Sequence, residues 1–259
     1  MPAELLSTSQ GQTLILTLRN PERRNAIDPV MYAAGVEALS VAESSADIRS
    51  VIITGSDGMF CSGGNLQRLQ ANRQQPPEVQ AQSIEGLHNW IETIRTYPKP
   101  VIAAVEGAAA GAGFSLALAC DFIVAARNAA FVMAYSNVAL SPDGGASWSL
   151  AQALPRQLAT EILMCGDRVG AERLHTLGVV NRVADAGGAL DAALALAEQL
   201  NAKAPNALAS IKELLNEAPG VQLTQHLGQE RNHFVKNLHH ANAGAGISAF
   251  LEKRQPRYE

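Results

Sequence analysis

Basic stretches, paired cysteines and long apolar runs are scarce in this chain of 259 residues, and each scarcity removes a class of function. The three cysteines, Cys61, Cys120 and Cys165, have no C-x-x-C spacing and lie in apolar or glycine-rich surroundings, so neither a disulfide framework nor a zinc site is suggested and buried free thiols are expected. The histidines, His88, His175, His226, His233, His239 and His240, have no metal-ligand spacing with acidic partners, and no metal is expected. A net charge of −4 with no Lys/Arg stripe leaves nothing to draw nucleic acid or an anionic membrane. The N-terminus lacks a charged start followed by an apolar core, and no run reaches about 18 strongly apolar residues, so a cytoplasmic protein is expected. Gly111 and Gly113 are not followed by the third glycine of a dinucleotide fingerprint, and no Gly-Lys-Ser/Thr occurs.

What is abundant is apolar residues, at 47% against 17% charged, a balance that favours a large core with further burial between subunits. The stretch Val101 to Asp121, VIAAVEGAAAGAGFSLALACD, reads as strand, tight turn and helix start. Gly107, Gly111 and Gly113 alternate with alanines, so a ligand can approach the backbone, and the first N–H groups of the helix would hold partial negative charge. A second turn of the same kind follows the strand Arg49 to Gly55 and runs through Cys61-Ser62-Gly63-Gly64-Asn65-Leu66. Two such turns, through Gly64 and Ala112, could each supply one backbone N–H to a single oxygen, the arrangement of an oxyanion hole.

Around these turns the pattern is α/β, with strands separated by helical periodicity. Strands are expected at 12–18, 122–126 and 129–133, and helices at 29–43 (capped by Asp28), 83–95, 146–154, 159–164, 189–204, 206–217, 223–238 and 246–254. Residues 67–82, polar, Gln-rich and carrying Pro76-Pro77, read as a mobile flap. Residues 175–183 read as a turn and short strand.

Several blocks together resemble the enoyl-CoA hydratase/isomerase (crotonase) superfamily over nearly the whole chain. They are Asn20-Pro21 with Asn25-Ala26, Phe60 to Leu66, Lys99 to Gly107, Gly111 to Asp121, Ser141 to Gly145 and Phe250 to Arg254. The resemblance implies a spiral of β-β-α units with two nearly perpendicular sheets at residues 1–200. A C-terminal helical trimerisation region follows at 201–259, with homotrimers or dimers of trimers. It implies an acyl-CoA thioester as partner, its carbonyl oxygen held by the N–H groups of Gly64 and Ala112, and no cofactor, since coenzyme A enters as part of the substrate. Arg23, Arg24, Gly64, Asn65, Leu66 and Gln67 match positions that meet coenzyme A, with Phe250 and Lys253 reaching that site from the C-terminal helix. Tyr135 would orient the acyl group or donate a hydrogen bond to it.

The departure from the family lies where the reaction is decided. Hydratases that resemble this chain hold a water with two glutamates, and the matching positions are Ser115, a small neutral filler, and Tyr135. Asp143, in Ser-Pro-Asp-Gly-Gly among Val138, Leu140 and Trp148, resembles the single acid that shuttles a proton in isomerase branches, including the ring-epoxyphenylacetyl-CoA isomerases. The same turn is a good β-turn in its own right. Isomerisation of an unsaturated acyl-CoA is the favoured reading. A hydratase or hydrolase in which Asp143 activates water or acts as nucleophile, and a non-catalytic acyl-CoA binder, are the alternatives.

Overall fold

A computed structural model describes residues 3–259; Met1 and Pro2, the start of both the leader reading and the 1–200 span, lie outside the described residues. Its centre is a six-stranded sheet in the order β1-β2-β3-β4-β6-β9: Glu4–Gln10, Thr13–Arg19, Ser50–Gly55, Val101–Val105, Phe122–Ala126 and Arg182–Ala184. β1 and β2 form an antiparallel hairpin, and every later pairing is parallel. A smaller sheet holds β5 (Ala108–Ala110), β7 (Ala130–Val132) and β8 (Arg168–Gly170). Parallel bridges Ile27↔Gly64 and Cys61↔Ala109 extend it, so successive passes of the chain add one stretch to each sheet, as in a spiral.

Both faces of the large sheet are buried, and side-chain alternation divides them cleanly. Val51, Ile53, Val101, Ala103 and Val105 enter the main core, with α1 (Pro29–Glu43), α3 (Pro77–Thr96) and α4 (Ala112–Ala119) around it. Ile52, Ile102, Ala104 and Val124 pack instead on Ala193, Leu196 and Ala197 of α8 (Ala189–Asn201). Between β7 and β9 run α5 (Ala146–Ala153), α6 (Arg156–Cys165), β8 and α7 (Ala171–Thr176). The C-terminal helices are α9 (Pro205–Glu217), α10 (Leu223–Leu238) and α11 (Ala241–Leu251).

Local chemistry sets the helix boundaries. Asp28 accepts from the N–H groups of Val30 and Met31, and Pro29 occupies the first helical position, so α1 has the bounds its sequence predicts. The 67–82 stretch, read as a flap, is largely helical: it forms α2 (Leu66–Asn72) and the first turns of α3, because Asn65 caps the former and Pro77 starts the latter, while glutamine is a good helix former. The Gly/Ala tract contains β5 where a tight turn was expected, bounded by Gly107 (φ 62°) and Gly111 (φ 50°). β1 and β8 were not anticipated, and residues 171–176 are helical. α11 starts five residues earlier than its periodicity suggests, since His240 caps it by accepting from Asn242 N–H. Cys165 is exposed, against the expectation of a buried thiol, whereas Cys61 and Cys120 are buried.

Candidate active site

The two glycine turns meet because nothing stands between their backbones. A Cβ on Gly63 would lie 2.8 Å from Ala110 O and 3.6 Å from Ala112 N, and one on Gly113 would lie 2.7 Å from the Cys61 carbonyl oxygen. Gly63 itself has φ 102°, a conformation suited to glycine. Ile27 N–H donates to Gly63 O, and Ala110 N–H to Cys61 O, which locks the turns in register. Among the described residues, neither Gly64 N–H nor Ala112 N–H donates to another group. Both residues line one cavity of about 430 Å³, and a Cβ on Gly64 would meet open space.

The loop before α1 is stitched to the second turn by Asn25, buried and with φ 58°. Its amide donates to Ser56 O and Met59 O at 2.9 and 2.6 Å, while its oxygen accepts from Asn20 N–H. Arg23 and Arg24 are exposed beside that turn. Arg23 donates to Gln67 Oε1 at 2.9 Å, and Ser62 N–H to Arg24 O at 3.0 Å, so Arg23, Arg24, Asn65 and Gln67 form one rim outside the cavity. Leu66 lines the cavity itself. Phe250 and Lys253 do not line it within this chain; both are exposed at the C-terminal end of α11.

Asp143 lines the same cavity and is the only carboxylate among the described lining residues. Three contacts fix it. Tyr135 OH donates to its Oδ1 at 2.5 Å, Ser115 Oγ donates to its main-chain oxygen at 2.9 Å, and the following N–H, of Gly144, donates to His88 Nε2 at 3.4 Å. Burial and the Asp143 charge both push the Tyr135 phenol far up, so it remains a proton donor throughout the working pH range. The Tyr135 ring lies against Gly111, where a Cβ would be 3.7 Å from Cζ. Ser115 is therefore more than a filler: it ties the Asp143 turn to the first turn of α4. Trp148, expected near the acyl pocket, lies outside it with the Arg95 guanidinium 4.7 Å above its ring.

Polar residues to which sequence reasoning gave no site role also line the cavity, among them Tyr32, Arg68, Gln80, Ser83 and His88. Arg68 was hidden in the stretch read as a flap; only the phase of α2, set by the Asn65 cap, turns it inward. Burial pushes the Tyr32 phenol up to about 12, with the Arg68 charge pulling the other way.

Residues 8–259 match the Enoyl-CoA hydratase/isomerase family, and the chain belongs to it. It is 35% identical to the 1,2-epoxyphenylacetyl-CoA isomerase of Escherichia coli K12, with 98% of this chain and 97% of that protein covered. It is 36% identical to a carnitinyl-CoA dehydratase of Salmonella enteritidis, covering 99% and 98%. An enoyl-CoA hydratase of Polaromonas sp. JS666, known from its crystal structure, superposes with a TM-score of 0.98 at 71% identity, covering 98% and 99%. The crotonase fold and acyl-CoA chemistry follow from this membership, whereas the relatives' names divide between isomerase, dehydratase and hydratase.

Proposed function

We propose that this enzyme isomerises an unsaturated acyl-CoA, with Asp143 moving the proton and Gly64 and Ala112 forming the oxyanion hole. The observation that carries the reading is the Tyr135–Asp143 hydrogen bond, which presents one lone carboxylate to a cavity that is also lined by two unpaired backbone N–H groups. The thioester carbonyl oxygen accepts from both N–H groups. The Asp143 carboxylate removes a proton from the acyl chain, and the electron pair moves into the carbonyl as an enolate. Protonated Asp143 then returns the proton to a carbon further along, so the double bond shifts and the base is restored. Each N–H donor is worth about 3 to 4 kcal/mol in such a site. With Tyr135 holding Oδ1, the other carboxylate oxygen is left for the substrate.

Arg23, Arg24, Asn65 and Gln67 meet the coenzyme A portion at the rim, and Leu66 adjoins the thioester. No cofactor beyond the substrate's own coenzyme A takes part. Phe250 and Lys253 serve the site of a neighbouring subunit in a trimer or dimer of trimers, a placement consistent with their exposure and with that of Leu223, Phe234, Ile247 and Leu251.

Asp143→Asn is expected to lower isomerisation of 3-enoyl-CoA substrates at least 100-fold. In heavy water the wild-type enzyme should leave deuterium on recovered acyl-CoA. Asp143→Asn retaining the wild-type rate, or an acyl-enzyme mass in place of deuterium exchange, would overturn the proposal.

A further inference from the structure

Arg68 is a cation that the oxyanion hole and Asp143 leave unused. It lies in the first turn of α2 and lines the cavity from the side formed by α1 and α3, beside Tyr32, Gln80 and Ser83. Its guanidinium donates to Ser83 Oγ at 2.9 Å, while its Nε is buried with no hydrogen-bond partner. No carboxylate among the described residues pairs with it, and the Tyr32 phenol beside it stays protonated and neutralises nothing. The remainder of the wall is largely apolar: Leu66, Leu69, Ile84, Leu87, Val138 and Leu140. Half-buried in the wall, Arg68 presents to the cavity a positive charge that has no carboxylate partner among the described residues, and a ligand group of opposite charge would complement it.

We propose that Arg68 anchors a carboxylate at the distal end of the acyl group, so that the preferred substrates are mono-thioesters of coenzyme A with dicarboxylic acids. The proposal rests on the acyl-CoA reading above and deepens it. A carboxylate can take two parallel N–H bonds from a guanidinium, and Gln80 and Ser83 stand beside it as further donors. A methyl-ended chain of equal length would cover the guanidinium and return no hydrogen bond, a difference that polar-lined pockets convert into strong discrimination. Arg68 also differs in placement from the basic residues assigned to coenzyme A: Arg23 reaches Gln67 on the outer rim, whereas Arg68 points towards Ser83 inside.

The test is calorimetric titration with two saturated thioesters of equal length, adipoyl-CoA and hexanoyl-CoA, and with free coenzyme A. Wild-type protein should bind adipoyl-CoA at least about tenfold more tightly than hexanoyl-CoA. Arg68→Met should abolish the preference while hexanoyl-CoA affinity moves less than about threefold, and Arg68→Lys should keep part of it. Retained hexanoyl-CoA binding shows that the variant is folded. Equal binding of the two thioesters by the wild type, or a loss in Arg68→Met that is the same for both thioesters and for free coenzyme A, overturns the proposal; the latter would make Arg68 a coenzyme A anchor. Failure of every thioester to bind overturns the acyl-CoA reading together with it. An active Asp143→Asn variant, by contrast, would remove the proton-shuttle mechanism and leave the binding preference standing.

Discussion

Tyr135 occupies a position where hydratases resembling this chain carry a carboxylate, and here it serves a different acid. Its hydroxyl, kept protonated by burial and by the neighbouring negative charge, holds Asp143 Oδ1 and thereby orients the carboxylate. Removing one such hydrogen bond to a charged group costs about 1.5 to 3 kcal/mol. Tyr135→Phe should therefore lower kcat by roughly tenfold to 100-fold with little change in KM, as steady-state kinetics on an isomerisable enoyl-CoA would show. An unchanged kcat would mean that Asp143 needs no such holder. Asp143 itself was legible as a candidate from its place in the Ser-Pro-Asp-Gly-Gly turn; its pairing with Tyr135, eight residues away, required the chain to turn through a short 3-10 segment and back.

Among the elements, α9 shows how the helical C-terminal part is fastened to the sheet. Lys212 Nζ donates to Asp121 Oδ2 and to Ile94 O, while Asp121 Oδ2 also accepts from Val101 N–H at the start of β4. Burial pushes the Asp121 carboxyl up and the Lys212 amine down, against their mutual attraction. A pair of this kind adds little over an apolar replacement, but losing one partner strands the other charge, at a cost of about 3 to 5 kcal/mol. Urea denaturation of Lys212→Met should register that loss, and the double variant Lys212→Met, Asp121→Asn should recover most of it. A double variant no more stable than the single one would contradict this account.

Over the whole molecule, α10 and α11 carry several large apolar residues that lie exposed. Leu223 is 72% exposed, Phe234 68% and Phe250 83%. Exposed apolar residues of this size are what the trimer proposal would bury between subunits. Light scattering coupled to size exclusion should give three or six times the 27.3 kDa of the chain. A paired change, Phe234→Glu with Phe250→Glu, should shift the mass towards that of one chain. A wild-type protein eluting as a monomer would refute the trimer proposal.

The amino-acid sequence alone determined the α/β class, the capped helix at 29–43 and the two glycine turns, because these depend on local chemistry: caps, periodicity and the reach that glycine permits. Residues 67–82 and Arg68 could not be read in the same way. A polar, Gln-rich stretch is compatible with loop or helix, and which of its side chains faces inward depends on the helix phase set at Asn65 and on packing against α3. Tertiary structure alone decided that Gly63 lies against Ala110 and Ala112, that Ser115 and His88 hold the turn of Asp143, and that Arg68 shares a cavity with them. Each of these contacts joins residues far apart in sequence, and their meeting depends on the register of parallel strands, which no single segment encodes.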